Sequence, residues 1–381
     1  MKNEMYMRQA IELAKRGEGY VNPNPLVGCV VVKDGRVVTT GWHERYGGYH
    51  AERNALLHCE EDLRGAEMYV TLEPCCHTGQ TPPCTDIIIE RGIGTVYIGS
   101  DDPNPLVAGK GVEILEKAGI DVETHVLKEE CDRLNEIFFH YITTHRPFVA
   151  MKYAMTLDGK ITLASAGVRA GETGDATSCS PRTQTVITGP EAHRHVHLLR
   201  RRYAAIMVGI GTVLADDPML NVRLEDQKDG CPVRVILDSH LRIPVESQIV
   251  RTAQEIPTIV VYTSAEESRC RELRERGVRT MAVGTDEYRE TDLDEVFIRL
   301  GEEKLDSVLV EGGSQVHGSL LRRPGLVHRV YAYVAPKIFG GESALSPIGG
   351  IGITDANEAL HLSDTEILSL GEDLLVTGRL V

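Results

Sequence analysis

Three short segments in the first hundred residues carry side chains that bind metal ions or transfer protons. These segments are His50-Ala51-Glu52, Glu73-Pro74-Cys75-Cys76-His77 and Pro82-Pro83-Cys84. A catalytic zinc ion takes three protein ligands and keeps a fourth position open for water. One imidazole and two thiolates meet that requirement. Because zinc lowers the pKa of a bound water to near neutrality, the pattern predicts hydrolytic chemistry.

We predict His50, Cys75 and Cys84 as ligands of one Zn²⁺ per chain. Cys75 and Cys76 compete for one ligand position, because the side chains of neighbouring residues diverge, and we choose Cys75, which directly follows Pro74. Glu52 is predicted to be the catalytic acid and base that carries a proton from the water to a substrate nitrogen. A closed structural zinc site, or no metal at all, is the alternative.

The predicted ligands require helices that begin at particular residues. Side chains at i and i+2 point apart on a helix but share a face in extended chain, so the helix must begin at about His50. Cys84 follows Pro83 at a second helix start, where free amide groups and the helix dipole favour a thiolate. Both arguments are local and depend on the order of neighbouring residues.

The first part of the chain alternates between strand and helix patterns, which predicts a layered α/β sandwich. A hairpin turn is expected at Asp34-Gly35. The predicted helices are 5–15, 50–59 and 82–91, and the predicted strands are 27–32, 36–40, 66–72 and 95–99.

A polar segment with a proline, 140–147, suggests a boundary between a domain of residues 1–145 and one of residues 146–381. The second domain repeats the α/β alternation. Ala164–Gln184 is rich in Gly, Ser, Thr and Ala and is typical of a long mobile loop without chemistry. The predicted helices are 190–202, 293–301 and 314–321, and the predicted strands are 205–209, 233–238, 258–262, 307–311 and 328–335.

The length, charge and cysteine content of the chain limit its possible domain organisation and the classes of ligand that it can bind. A chain of 381 residues is long enough for two domains. The net charge of −15 argues against general binding to nucleic acid or to an anionic membrane, which needs a basic field. Charged residues recur in the first segment and no apolar stretch could span a bilayer, so we expect a cytoplasmic protein. The nine cysteines are then expected to be thiols or metal ligands.

The metal segments resemble the zinc deaminase signature, although eight residues rather than two separate Cys75 from Cys84. Together with Asn22-Pro23-Asn24-Pro25-Leu26-Val27-Gly28, they resemble the bifunctional deaminase–reductase family of riboflavin biosynthesis. The resemblance implies a cytidine-deaminase-like α/β/α sandwich in the amino-terminal domain. It also implies that Asn24, His43 and His77 line the deaminase substrate pocket.

The second half lacks the Gly-x-Gly-x-x-Gly segment of an ordinary dinucleotide-binding fold. Its motifs Met151–Lys160, Val208–Pro218 and Val310–Gln315 resemble the reductase half of the same family. That resemblance implies a dihydrofolate-reductase-like α/β domain that uses NADPH. Gly312-Gly313, between a strand and a helix, exposes backbone amides that can cradle a phosphate.

The resemblance also implies ligand contacts in the reductase domain. Arginine is suited to a phosphate monoester because its planar fork binds two oxygens at once. We further hypothesise that Lys152 donates a proton or hydrogen bond near the reduced carbon. The implied NADPH contacts are Ala154, Thr212, Asp216, Ser239, Gly313, Ser314, Gln315, Val316, His317, Gly318 and Ser319. The implied substrate contacts are Arg200, Leu220, Arg223 and Glu311.

Two positions depart from the family pattern. Val186 stands where the family has Trp, after a longer loop, and Asn221 replaces an expected Thr. A deaminase with an impaired reductase domain is therefore one alternative.

The family reactions are expected to act in sequence on small phosphorylated pyrimidines. The first deaminates 2,5-diamino-6-ribosylamino-4(3H)-pyrimidinone 5′-phosphate, and the second uses NADPH to reduce the ribosyl group of 5-amino-6-(5-phosphoribosylamino)uracil to ribityl. The resemblance also suggests a homo-oligomer. Two further alternatives are a nucleic-acid base deaminase, which the acidic charge disfavours, and a zinc scaffold without activity.

Overall fold

The computed structural model describes residues 2–79, 81–105, 107–163, 186–225 and 231–381. The chain divides into two compact units, of which the first holds residues 1–147 with 304–306 and the second holds 148–303 with 307–381. The segment Ala164–Gln184, predicted to be a loop, lies outside the described residues.

A five-stranded sheet forms the centre of the first unit. It has the order β2-β1-β3-β4-β5, in which β1 is antiparallel to both neighbours and β3, β4 and β5 are parallel. The β1–β2 hairpin turns at Asp34 and Gly35, whose φ angles of 52° and 78° are the positive values that this two-residue turn requires. The strands are β1 (Gly28–Lys33), β2 (Arg36–Trp42), β3 (Glu67–Leu72), β4 (Thr95–Ser100) and β5 (Asp121–Glu123).

Helices cover both faces of this sheet. Val30 and Val31 are neighbours on β1 and both are fully buried, but they belong to different hydrophobic clusters. Val31 packs in the cluster with Leu56 of α2, whereas Val30 packs in the cluster with Met7 of α1. The result is the predicted α/β/α sandwich. The helices are α1 (Lys2–Ala14), α2 (Ala51–Leu57), α3 (Cys84–Glu90), α4 (Lys110–Lys117), α5 (Lys128–Leu134) and α6 (Glu136–Thr144).

A nine-stranded sheet forms the centre of the second unit, in the order β10-β9-β8-β7-β11-β6-β12-β14-β13. Its strands from β10 to β12 are parallel, and β14 and β13 form an antiparallel hairpin at one edge. The strands are β6 (Phe148–Thr156), β7 (Ala205–Gly209), β8 (Val233–Leu237), β9 (Thr258–Tyr262), β10 (Arg279–Ala282), β11 (Ser307–Gly312), β12 (Arg329–Ala335), β13 (Leu362–Leu370) and β14 (Asp373–Leu380).

The order of the strands brings the three reductase motifs to the same end of the sheet, where the strands finish. β7, β11 and β6 are neighbours, and the motifs lie at or just beyond their carboxyl ends. Because these strands are parallel, their carboxyl ends meet, which is where α/β proteins bind ligands. The helices are α7 (Pro190–Arg202), α8 (Ile210–Asp216), α9 (Gln248–Arg251), α10 (Glu267–Glu275), α11 (Leu293–Glu302) and α12 (Ser314–Leu321).

The structure also contains elements that were not predicted from the sequence, among them α4, α5, α8, α9, α10, β5 and β10. Helix α6 extends through Thr144, so most of the polar segment 140–147 is helical. The β13–β14 hairpin has no counterpart in the prediction, because β13 is mostly exposed and shows little apolar alternation. In the part of the chain that the structure describes, no helix has the length and apolar character needed to cross a membrane.

Candidate metal centre and reductase site

Three elements bring the predicted metal ligands together. His50 directly precedes α2 in extended backbone, with φ −72° and ψ 166°, as the spacing to Glu52 requires. Cys75 follows the end of β3, and Cys84 is the first residue of α3. The amides of Cys84 and Thr85 donate to the Cys75 carbonyl oxygen at 3.0 and 3.2 Å. The free amides at the start of α3 therefore hold one ligand beside another.

The distances among these side chains suit a zinc ion. His50 Nδ1 lies 3.4 Å from Cys75 Sγ and 3.6 Å from Cys84 Sγ. Bonds of about 2.0 Å to nitrogen and 2.3 Å to sulfur, at a tetrahedral angle, place those ligand atoms about 3.5 Å apart. Cys76 lies outside the group, and no second group of this kind occurs among the described residues.

The electrostatics of the two cysteines also suit a cation. The Cys84 thiol donates to Cys75 and, with His50, lowers the pKa of Cys75 to about 4. The same hydrogen bond and burial raise the pKa of Cys84 well above its usual range. The two pKa shifts are thus opposite in direction, because the sulfurs lie side by side in a buried place. A zinc ion would displace the thiol protons and stabilise both thiolates.

Glu52 lies against this group and is only 3% exposed. Burial, together with the charge of Cys75, raises the pKa of Glu52 to about 7. One contact of its carboxyl group is with Cys84, whereas Oε2 is buried and has no hydrogen-bond partner among the described residues. A bound cation would favour the ionised carboxylate. An unpartnered oxygen beside the ligands is therefore available to a water or a substrate.

Two predicted pocket residues lie beside the metal ligands. His43 Nδ1 donates to the Tyr49 carbonyl oxygen at 2.9 Å, which leaves Nε2 to accept from Asn24 Nδ2 at 3.2 Å. The His43 and His50 rings are nearly perpendicular, with centroids 5.3 Å apart. His77 Nδ1 is buried without a hydrogen-bond partner among the described residues. Asn24 and His43 thus form a pair that is fixed next to His50.

A charged cluster lies near the carboxyl end of β11, in the middle of the nine-stranded sheet of the second unit. Glu311 accepts from Arg200 Nε at 2.5 Å and from Arg200 Nη2 at 2.8 Å, and Lys152 Nζ lies 4.0 Å from the same carboxylate. Burial raises the pKa of Glu311, but Arg200 outweighs burial and holds that pKa below its usual value. Burial lowers the pKa of Lys152. The structure thus brings together three of the predicted residues.

The other predicted substrate residues connect to this cluster through backbone. Arg200 Nη1 donates to the Asn221 carbonyl oxygen at 3.0 Å, and Leu220 has a positive φ of 48°. His197 Nδ1 accepts from the amide of Arg223 at 3.1 Å. Burial and the nearby arginines lower the pKa of His197 to about 4, so its ring is neutral.

Two residues that were not predicted also lie near the charged cluster. His197 is one of them, and the other is Tyr333, whose ring centroid lies 5.7 Å from Lys152 Nζ and whose hydroxyl is 2.6 Å from His195 Nδ1. The only signal in the sequence was the alternation of histidines along α7. Because side chains at i and i+2 point apart on a helix, this alternation does not by itself indicate a site.

The residues predicted to contact NADPH have several different sets of neighbours in the structure. A Cβ added at Gly312 would meet Thr212 Oγ1 at 3.5 Å, and one at Gly313 would meet Val316 at 3.3 Å, so this group is compact. Other predicted residues have different neighbours. Ser319 donates to Glu290, and His317 donates to the Pro347 carbonyl oxygen. The hydroxyl oxygens of Ser239 and Thr291 lie 3.0 Å apart.

Comparison with known proteins identifies the chain. Residues 147–376 match the RibD C-terminal domain family, and residues 1–100 match the zinc-binding region of cytidine and deoxycytidylate deaminases. The riboflavin biosynthesis protein RibD of Actinobacillus pleuropneumoniae is 52% identical over 373 residues, which cover 97% of this chain and 93% of the relative. The chain belongs to the RibD family.

Solved RibD structures share the fold over the whole chain. RibD of Acinetobacter baumannii matches with a TM-score of 0.84 and 34% identity, covering 100% of this chain and 99% of that one. A Thermotoga maritima structure has a TM-score of 0.80 and 39% identity, covering 99% and 98%. It is described as a diaminohydroxyphosphoribosylaminopyrimidine deaminase/5-amino-6-(5-phosphoribosylamino)uracil reductase.

These comparisons confirm the predicted family and both fold classes. They also confirm a bifunctional deaminase and reductase of riboflavin biosynthesis, with zinc and NADPH as the cofactors of the RibD family. The roles of individual residues and the domain limits at residues 145 and 146 stay predictions.

Proposed function

We propose that residues 1–145 deaminate 2,5-diamino-6-ribosylamino-4(3H)-pyrimidinone 5′-phosphate and that residues 146–381 then reduce the ribosyl group of the product with NADPH. The main support is the convergence of His50 Nδ1 and the sulfurs of Cys75 and Cys84 beside a buried, unpartnered oxygen of Glu52. The activities named for the Thermotoga maritima relative support the same pair of reactions.

In the deaminase reaction, Glu52 is the group that moves protons. Zinc, when bound, supplies a water of lowered pKa at neutral pH. Glu52 takes one proton of that water as the oxygen adds to the amine-bearing ring carbon, and gives it to the ring nitrogen. Glu52 then carries the second proton from the new hydroxyl group to the amine nitrogen. The carbon–nitrogen bond then breaks, and ammonia leaves. Asn24 and His43, already hydrogen-bonded to each other, orient the pyrimidine.

In the reductase reaction, Arg200 and Arg223 bind the substrate phosphate, and Lys152 acts at the reduced carbon. Burial lowers the pKa of His193, and both arginines lower it further, so the two guanidinium groups lie near the same part of α7. Two guanidinium groups match a phosphate dianion. The hydride of NADPH adds to the anomeric carbon while the bond to the sugar ring oxygen breaks. Lys152, whose burial makes its proton easier to release, protonates that oxygen.

A single-turnover experiment tests whether both activities reside in this chain. We expect NADPH oxidation to match the amount of added 5-amino-6-(5-phosphoribosylamino)uracil, because all the charged residues of the cluster are present. The change in NADPH absorbance measures it, and a dephosphorylated substrate is the control. Ammonia release from the diaminopyrimidine phosphate without any NADPH oxidation would favour the deaminase with an impaired reductase domain.

The two adjacent cysteines provide a test of the metal ligands. Cys75→Ser and Cys84→Ser are expected to lose zinc during dialysis against a chelator, because each removes one of three ligands. Cys76→Ser is expected to retain about one zinc per chain by mass spectrometry, since Cys76 lies outside the group. Zinc loss from Cys76→Ser, with retention in Cys75→Ser, would reverse the assignment.

We also propose a cytoplasmic homo-oligomer that acts on small phosphorylated pyrimidines and not on nucleic acid. The net charge of −15 supports the exclusion of nucleic acid. Exposed Ile367 and Leu368 on the edge strand β13 support self-association. Light scattering would measure the mass of the oligomer.

Two observations would contradict these proposals. Retention of the protein on single-stranded RNA at moderate salt would show that it binds nucleic acid. Zinc in the protein without ammonia release from any pyrimidine would favour a zinc scaffold without activity.

A further inference from the structure

A buried carboxylate lies two residues before the zinc ligand Cys75. Glu73 is only 5% exposed, and it accepts hydrogen bonds from three backbone amides at the start of α4. Its Oε2 accepts from Gly109 at 2.9 Å, and its Oε1 accepts from Gly111 at 2.9 Å and from Val112 at 3.3 Å. The negative charge also opposes the positive end of the helix dipole.

The backbone of the same residue is fixed as well. The Glu73 amide donates to the Ser100 carbonyl oxygen, at the end of the neighbouring strand β4, at 3.0 Å. Only Pro74 separates Glu73 from Cys75, and its ring restricts the φ angle. A displacement of Glu73 is therefore transmitted to Cys75 rather than absorbed by the chain.

The packing between α4 and this segment leaves no spare space. A Cβ added at Gly111 would lie 2.2 Å from the Pro74 carbonyl oxygen and 3.0 Å from Glu73 Oε1. The helix can approach this closely only because residue 111 has no side chain. On the other side, the amides at the start of α3 hold the Cys75 carbonyl oxygen. The starts of two helices thus fix the segment 73–75.

We propose that Glu73 is a positioning residue that holds the zinc ligand Cys75 in place by fastening its segment to α4. This inference rests on the proposed zinc site. Groups that orient metal ligands from behind typically change metal affinity about 10–100-fold when they are replaced. Glu73 has no contact with the metal-binding atoms in the described interactions, so its effect acts through the Pro74–Cys75 backbone.

The alternative is that Glu73 only caps α4 and stabilises the fold. Both roles lower thermal stability when Glu73 is replaced, so stability cannot distinguish them. The rate at which zinc leaves the folded protein can do so, because a cap without a positioning role leaves the ligand geometry unchanged. The absorption spectrum of the cobalt(II)-substituted protein reports the same geometry without any turnover.

The experiment compares zinc release from the full-length protein to a chromophoric chelator in wild type, Glu73→Gln and Glu73→Ala. Glu73→Gln keeps the shape but turns an NH₂ group toward a backbone N–H, so we expect release about 10-fold faster. Glu73→Ala is expected to release zinc faster still, about 100-fold. Both are expected to change the cobalt spectrum.

Two further variants keep the test decisive. Gly111→Ala leaves Glu73 intact and displaces the Pro74 carbonyl from the helix side, so it is expected to accelerate zinc release as well. Glu113→Gln removes one charge from an exposed position of the same helix, where Glu113 pairs with Lys117, and is expected to release zinc at the wild-type rate.

The outcomes separate the inference from the proposal on which it rests. Wild-type protein that binds no zinc would overturn both. Zinc-loaded wild type with unchanged release rates and cobalt spectra in Glu73→Gln and Gly111→Ala would overturn the positioning role alone. If Glu73→Ala fails to fold, Glu73→Gln and Gly111→Ala still decide the question.

Discussion

Glu52→Gln is expected to lower ammonia release from the diaminopyrimidine phosphate by a factor of about 10²–10⁴ while the protein retains its zinc. Glutamine has the same shape as glutamate, so the packing around this buried side chain is preserved. Its amide group cannot accept and return a proton. The three metal ligands are untouched, so zinc content is expected to stay at the wild-type value.

Measurement of released ammonia and of zinc per chain in the same preparation tests this expectation. Glu60→Gln, at an exposed position of the same unit, is the matched control and is expected to retain full turnover. A Glu52→Gln protein with substantial turnover would contradict the role of Glu52 as acid and base. Loss of zinc from that variant would instead mean that Glu52 contributes to metal binding.

Glu311→Ala is expected to destabilise the second unit by about 3–5 kcal/mol and to abolish NADPH oxidation. The variant leaves the Arg200 side chain, 13% exposed, without its carboxylate, and Lys152 loses the same partner. A buried cation without a counter-charge keeps its desolvation cost and loses the compensating attraction. The free cations would also repel each other, which would displace the residues that bind phosphate.

Amide hydrogen exchange in β6 and β11 measures the stability of this unit directly, since the two units need not unfold together. Glu303→Ala breaks an ion pair in which Arg279 is exposed and Glu303 is partly exposed, and is expected to cost about 0–1 kcal/mol. The result that would contradict this expectation is equal amide protection in Glu311→Ala and Glu303→Ala, together with unchanged NADPH oxidation. The buried cluster would then contribute little to stability or to activity.

The metal centre could be predicted from sequence because its geometry depends on local chain features. His50 lies in extended backbone directly before α2, and Cys84 directly after Pro83. The spacing between neighbouring residues sets where these helices begin, so the ligand side chains point as expected. The choice of Cys75 over Cys76 also rested on adjacent residues, and the structure places only Cys75 with the other two side chains.

The reductase site was less predictable, because its parts come from distant segments. The motif residues Gly313 and Val316 lie close together, but Ser319 donates to Glu290 and His317 donates to the Pro347 carbonyl oxygen. Neither Glu290 nor Pro347 belongs to a motif. Contacts of this kind depend on loops whose positions are set by packing, and local patterns contain no information on packing partners.

Residue types and their spacing were sufficient for the class of chemistry, the starts of the two helices at the metal centre and the positions of most strands, because these depend on a few neighbouring residues. Only the tertiary structure brought Arg200 to Glu311, which is 111 positions away in the chain, and placed Glu73 against the start of α4. The reason is the order of the strands in space. β7, β11 and β6 are adjacent in the sheet although they are far apart in sequence, and that order results from burial of the whole core.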